Sequence, residues 1–291
     1  MVPHTQASGS PEPIKNKVTA LTLTPLSNIP LIRRDDNLAD IFVRSLLESN
    51  ILIQDNDILV LAQKIVSKAE GRAVNLATII PSQRALELAK VTEKDARVVE
   101  LILQESNEVL RTRLGVIIVE HRLGFICANA GIDHSNVNPP LPPALSGERS
   151  PKTKRGEGLG VREDWVLLLP ENPDRSAESI RRQVEGITGR KISVLIIDSH
   201  GRAWRNGTVG IAIGIAGLPG LEDLRGKPDL FGYQLQTTQV GVADELAAAA
   251  SLVMGQAAEG TPVVHVRGFP YPLRAGSLKE LIRPREQDLF R

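Results

Sequence analysis

The apolar run Ile192, Val194, Leu195, Ile196 and Ile197 breaks off at Asp198 and is followed by Ser199, Arg202, Arg205 and a string of glycines. This stretch, residues 192–217, constrains the fold more than any other. Its β-branched residues, bounded upstream by Thr188, Gly189, Arg190 and Lys191, predict a buried strand rather than a helix. A strand delivers its last side chains to the rim of a sheet. Asp198 and Ser199 would then offer metal-binding oxygens beside the cations of Arg202 and Arg205, a combination suited to a metal-nucleotide. The same residues also fit a strand-end turn in which Asp198 caps a loop and the arginines form surface ion pairs.

With 291 residues and 42% hydrophobic content, the chain is long enough for one large core or two ordinary ones. Its 35 basic and 34 acidic residues leave a formal net charge of +1. That balance gives no broad electrostatic reason to expect nucleic acid or a membrane surface as partner, so small molecules are expected instead. The single cysteine, Cys127, excludes an internal disulfide and a multi-cysteine zinc site, and its apolar neighbours predict a buried small hydrophobe. No run of about 18 apolar residues and no apolar signal core are present, so a cytoplasmic protein is expected.

Order is expected over residues 18–271, between a flexible tail at 1–17 and a charged C-terminal tail at 272–291. Residues 138–164, rich in proline, glycine and charge, read as a linker or insertion. Strands are predicted at 19–24, 58–62, 116–119, 123–128, 192–197, 234–238 and 262–266, and order returns after the insertion over 165–170. Helices are predicted at 38–49 with Asp35 or Asp36 as cap, at 81–90, at 95–110, at 173–185 ending near Gly189, and at 244–253 capped by Asp244 and Glu245. The alanines of that last helix, Ala247 to Ala250, would let another backbone approach closely.

Three further segments carry candidate chemistry. Gln63, Lys64, Lys68, Glu70 and Arg72 follow directly on the 58–62 strand; Lys68 reads either as a phosphate-holding cation or as a solvated lysine at a turn before Gly71. Asp133 and Asn136 follow the 123–128 strand, where a turn would aim both oxygens at one hard cation or merely close on itself. Gln256 and Glu259, in the loop 254–261, face the same choice. Glu105 and Glu108 are expected on a solvated helix face. His121 and His134 lack a second histidine or a cysteine at ligand spacing, which argues against zinc. A Walker phosphate loop, the dinucleotide fingerprint and GxSxG are all absent.

Six blocks occur in order: IPLI from Ile29, QKIVSKAEGR from Gln63, NAGIDHSNV from Asn129, LLLPENPDRSA from Leu167, IIDSHGRAWRNGTVGIAIG from Ile196 and ADELAAAASLVMGQAAEGTPVVHVRG from Ala243. Together, over residues 21–268, they resemble the coenzyme F420-0:L-glutamate ligase (γ-glutamyl ligase) family. The resemblance implies an α+β fold particular to that family, with mixed β-sheets and flanking helices. It implies a GTP-dependent amide ligase that joins L-glutamate to a deazaflavin phospholactate through an acyl phosphate, with Mg²⁺ or Mn²⁺, K⁺ as a further ion, and a homodimeric assembly. Carried over residue by residue, Asp133 and Asp198 correspond to ligands of a first metal, and Ser199 and Gln256 to ligands of a second. Ile29, Pro30, Leu31, Ile32, Gln63, Lys64, Lys68 and Asn136 would line the nucleotide site, together with the loop Met254, Gly255, Gln256, Ala257, Ala258, Glu259, Gly260 and Thr261. At Gln256 some relatives carry glutamate, and a neutral amide binds a divalent ion more weakly through its carbonyl oxygen. No residue is singled out as general acid, base or nucleophile. Two other functions fit the same motifs: a ligase of this mechanism acting on another carboxylate, and a non-catalytic nucleotide- or deazaflavin-binding module.

Overall fold

Two strands, Ile58–Ala62 and Ser193–Arg202, run side by side in parallel through the middle of the molecule. Their apolar residues Ile58, Leu59, Val60 and Leu61, and Val194, Leu195 and Ile196, are fully buried. An unbroken apolar strand requires cover on both faces, and helices supply it. The computed structural model describes residues 20–137 and 164–289. The expected tail at 1–17 and all of the expected insertion except Asp164 lie outside the described residues.

In chain order the elements are β1 Thr22–Pro25, α1 Leu38–Glu48, β2 Ile58–Ala62, α2 Gln63–Ala69, β3 Ala73–Asn75, α3 Gln83–Thr92, α4 Ala96–Gln104, β4 Ser106–Arg113, β5 Val116–His121 and β6 Ile126–Ala128. They continue with β7 Trp165–Leu167, α5 Pro173–Thr188, β8 Ser193–Arg202, β9 Arg205–Ala216, β10 Glu222–Asp223, β11 Gln239–Val240, α6 Val242–Met254 and β12 Val263–Arg267. The central sheet has the order β1-β12-β2-β8-β9 and is antiparallel except between β2 and β8. One face packs against Phe42 and Leu46 of α1 and Ala177, Ile180 and Val184 of α5. The other packs against Leu246, Ala247 and Ala250 of α6. A smaller sheet, β4-β5-β6, and the ribbons β3-β7 and β10-β11 complete an α+β architecture of mixed sheets with flanking helices.

The strand expected to end at Ile197 does not end there. β8 runs on through Asp198 to Arg202, because β9 goes on satisfying its backbone after β2 has stopped at Ala62. Gly207, Gly210 and Gly214 therefore lie in β9, where the last two admit helices. A Cβ at Gly210 would lie 2.5 Å from Ser251 Cβ and 2.6 Å from the Ala247 carbonyl oxygen. One at Gly214 would lie 2.6 Å from Pro173. The register jumps between these positions, Ile196 pairing with Gly214 and Ile197 with Ala212, and this bulge turns Gly210 toward α6 and Gly214 toward α5. Gly210→Ala is accordingly expected to destabilise the protein by about 1–3 kcal/mol through overpacking, read as a lower urea midpoint. An unchanged midpoint would show that α6 can recede without loss.

Other boundaries move for local reasons. Asn37, not Asp35 or Asp36, caps α1, its side-chain oxygen accepting from the Ala39 and Asp40 amides. The helix expected over 95–110 stops at Gln104, and Val109 lies in β4 opposite Val119 of β5. Residues 234–238 form no strand; Gln234 makes one isolated bridge to Pro228, and the strand there is β11. α6 starts at Val242, and Asp244 inside its first turn accepts the Ala212 amide at 2.9 Å, tying helix to sheet. Past residue 272, Leu278 enters the core and Glu280 accepts the Gly220 and Leu221 amides at 3.1 and 3.2 Å.

Candidate active site

β2 passes into α2 without a loop, so Gln63 and Lys64 stand at the point where the sheet's two central strands part. Gln63 is only 1% exposed, and a buried amide needs its partners. Its Nε2 donates to Asp133 Oδ2 at 2.9 Å, and its Oε1 accepts from Ser67 Oγ, one helical turn on, at 2.8 Å. Lys64 Nζ lies 3.3 Å from Asp133 Oδ1 and donates to Ser135 Oγ at 2.7 Å. The segment that follows the strand is thus a helix that aims consecutive side chains at one carboxylate. Asp133 is held from the other side by a two-way backbone pairing with Leu167, N to O at 3.0 Å and back at 2.9 Å. The chain reaches it through three left-handed residues, Asn129, Ala130 and Gly131. At Gly131 a Cβ would meet Leu169 at 2.7 Å.

Asp198 reaches the same place from β8. The register that pairs Ile197 with Ala62 places Asp198 next beyond the end of β2, where Gln63 holds Asp133. Burial raises the Asp133 pKa, Lys64 pulls it back, and the Asp198 carboxylate pushes it up again. His200, two residues further along the same strand face, donates Nε2–H to Asp198 Oδ2 at 2.9 Å. Ser199 points to the opposite face. There its hydroxyl donates to Gln256 Oε1 at 2.8 Å, and Gln256 Nε2 donates to Ser251 Oγ at 2.8 Å. The loop carrying Gln256 is closed by Thr261 Oγ1 donating to the Met254 carbonyl at 2.9 Å and by Glu259 accepting the Ala257 amide at 2.8 Å. Asn136 Nδ2 reaches the Ala257 carbonyl at 3.5 Å, joining this loop to the Asp133 turn.

The remaining expected residues divide. Lys68 follows Lys64 by one turn of α2 and is half-buried; burial lowers its pKa, Lys64 lowers it further, and Asp133 opposes both. It makes no hydrogen bond or ion pair among the described residues. Ile29, Pro30, Leu31 and Ile32 run from β1 toward α1, beside the end of α2, where the Asp35 amide donates to the Ala69 carbonyl at 2.9 Å. Ile29 and Ile32 pack on the core, whereas Leu31 is exposed. Arg202 and Arg205 are not gathered at Asp198. They lie paired at the solvent-exposed tip of the β8-β9 hairpin, because the strand carries them four residues and more beyond it.

Glu105 is not on a solvated face. It is buried beneath Arg72 at 3.1 Å and Arg122 at 2.8 Å, a structural ion cluster, while Glu108 pairs with Arg285 at 2.8 Å on the surface. Cys127 is the buried hydrophobe expected, its thiol pushed up to about 12 by burial and then by Asp198. Ser135, His200 and Ser251 escaped the sequence reading. His200 was detectable, since alternation along a strand read through Asp198 puts it on the same face.

The description of one protein family, F420-0:gamma-glutamyl ligase, matches residues 27–149 and 152–268 of this chain. The chain belongs to this family. It is 45% identical over 273 residues to the coenzyme F420:L-glutamate ligase of Methanothermobacter thermautotrophicus, covering 93% of this chain and 99% of that protein. The enzyme of that name from Methanocaldococcus jannaschii is 45% identical over 239 residues, 82% of this chain and 86% of its own. That from Methanopyrus kandleri is 40% identical over 278 residues, covering 93% and 98%.

The residues of this γ-glutamyl ligase family member suit a divalent cation in donor chemistry. Among the described residues no three His, Cys, Asp or Glu side chains gather as a metal cluster. What gathers is a pair of carboxylates, with a hydroxyl and an amide oxygen on the other side of β8. Hard oxygens in that number match Mg²⁺ or Mn²⁺, which take one or two protein carboxylates and complete their shell with substrate phosphates and water. No described helix is long and apolar enough to cross a membrane.

Proposed function

We propose that this protein adds L-glutamate to the deazaflavin phospholactate F420-0 in a GTP-dependent reaction. The observation that supports this most is the meeting of Asp133, Asp198, Gln63 and Lys64 where β2 and β8 part, with Ser199 and Gln256 behind them. Membership of a family whose relatives bear the name coenzyme F420:L-glutamate ligase supports the substrates. A free carboxylate is a poor acyl donor. In the proposed reaction an acceptor carboxylate oxygen attacks the γ-phosphorus of GTP, the bond to the β-phosphate breaks, and GDP leaves an acyl phosphate. The glutamate amine then attacks the acyl carbon, forms the amide, loses a proton and expels inorganic phosphate.

Asp133 and Asp198 would hold the divalent ion, which supplies charge neutralisation for the triphosphate. Ser199 and Gln256 would hold a second ion. Gln63 orients Asp133, and Lys64, now spent on Asp133 and Ser135, would serve incoming phosphates as a point charge on a flexible stem. The loop 254–261, Asn136 and residues 29–32 would line the nucleotide. Exposed Leu230 and Phe231 offer apolar surface to the homodimer that the family resemblance implies.

The direct test incubates purified protein with GTP, Mg²⁺ or Mn²⁺, L-glutamate and F420-0 and looks by mass spectrometry for added glutamate. Folded protein that yields no product with either metal would defeat the proposal. Lys68 gives a narrower test. A half-buried lysine with no hydrogen bond or ion pair among the described residues is costly unless an anion completes it, so Lys68→Ala is expected to weaken GTP binding by about 1.5–3 kcal/mol. Lys90→Ala, at an exposed position on α3, should change it very little. Equal small effects at both positions would remove Lys68 from the nucleotide site.

A further inference from the structure

His200 stands outside every role assigned so far. It is 7% exposed although it lies in the part of β8 that has outrun β2. Its ring packs on Phe125 at 5.3 Å and 57°, and Phe125 stacks on His121 at 5.1 Å and 7°. His121 is itself anchored, its Nδ1 accepting the Leu123 amide at 3.0 Å. A row of three rings thus leads from the β5-β6 hairpin to Asp198, with the His200 ring buried at its end. At its end, Nε2–H occupies Asp198 Oδ2 at 2.9 Å, while Oδ1 carries no hydrogen bond among the described residues.

From this geometry we propose that His200 is the positioning residue for Asp198, locking its carboxylate so that one oxygen is spent on the ring and the other is presented to the divalent ion. The inference rests on the reading of Asp198 as a metal ligand. A carboxylate whose side chain has no partner samples several rotamers and must be ordered when the ion arrives. A ligand already held by a buried partner has lost that freedom beforehand, which is why such partners typically control metal affinity by about 10- to 100-fold. Packing alone would not explain the arrangement, since a phenyl ring would fill the same space beside Phe125 without touching Asp198.

The test is Mn²⁺ titration of the nucleotide-free full chain, following the electron paramagnetic resonance signal of the free ion, for wild type, Asp198→Asn, His200→Phe and His200→Gln. Circular dichroism and thermal midpoints check that each variant is folded, and His200→Met replaces His200→Phe should the latter not fold. His200→Phe is expected to weaken Mn²⁺ binding by about 10- to 100-fold. His200→Gln, whose amide N–H reaches the same oxygen, is expected to restore most of the affinity, a rescue that a packing role would not produce. Undiminished affinity in folded His200→Phe, or equal losses in the Phe and Gln variants, overturns the proposal while the metal site stands. Absence of Mn²⁺ binding by wild type, or full binding by Asp198→Asn, overturns the metal reading and this proposal with it.

Discussion

Asp198→Asn is expected to lower metal-dependent glutamate addition by more than about 100-fold, since even an outer partner of a metal ligand costs 10- to 100-fold, and to leave the fold intact. The same holds for Asp133→Asn. Asp133 lies where burial penalises charge, and the Asp198 carboxylate pushes its pKa further upward. Neutralising either one removes a ligand charge and a like-charge repulsion together, so function falls while folding stability holds or rises. That opposition separates a functional carboxylate from a structural one. The measurements are turnover across a range of Mg²⁺ concentrations and the urea midpoint without metal. A variant that keeps wild-type turnover at limiting Mg²⁺ is not missing a ligand, and one that loses several kcal/mol of stability has lost a structural carboxylate instead.

Asp57 is that structural case, at the opposite end of β2. It is 1% exposed and accepts from His265 Nε2 at 2.8 Å, from Arg267 Nε at 2.8 Å and from the Gln54 amide at 2.8 Å. Asp57→Ala strands the buried His265 and the Arg267 guanidinium without their acceptor, a loss of about 3–5 kcal/mol for a broken buried pair. Arg267 is 39% exposed and recovers some hydration, which favours the lower end. Burial on its own would raise the Asp57 pKa, but the Arg267 and His265 hydrogen bonds and the Gln54 amide outweigh it and hold the carboxyl well below the usual range. A folded pKa below the unfolded one means the contribution is complete above the unfolded value, about 3.9. It is lost as pH falls from there toward the folded value. The stability gap between wild type and Asp57→Ala is therefore expected to be constant from pH 7 to about pH 5 and to shrink below about pH 4. A gap as large at pH 3 as at pH 7 would contradict this origin.

What local sequence determined is what near neighbours decide. β2 falls at residues 58–62 as its apolar run predicts, and α5 runs from Pro173 to a left-handed Gly189 as its start and stop residues dictate. The ordered blocks also pointed to the family and to most of the residues that meet at the site. Tertiary structure alone decided how they meet. β8 outlasts its apolar residues because β9 supplies hydrogen bonds that no local pattern announces. Glu105 is buried because Arg72 and Arg122 arrive from other elements. Asp198 and Ser199, adjacent in the chain, serve opposite faces of one strand, and His200 gains its partner only because that strand continues. Periodicity and capping report forces that act within a few residues, whereas a carboxylate's partners are chosen by the sheet register and by the helices packed upon it. Those are decided only when the chain closes on its core.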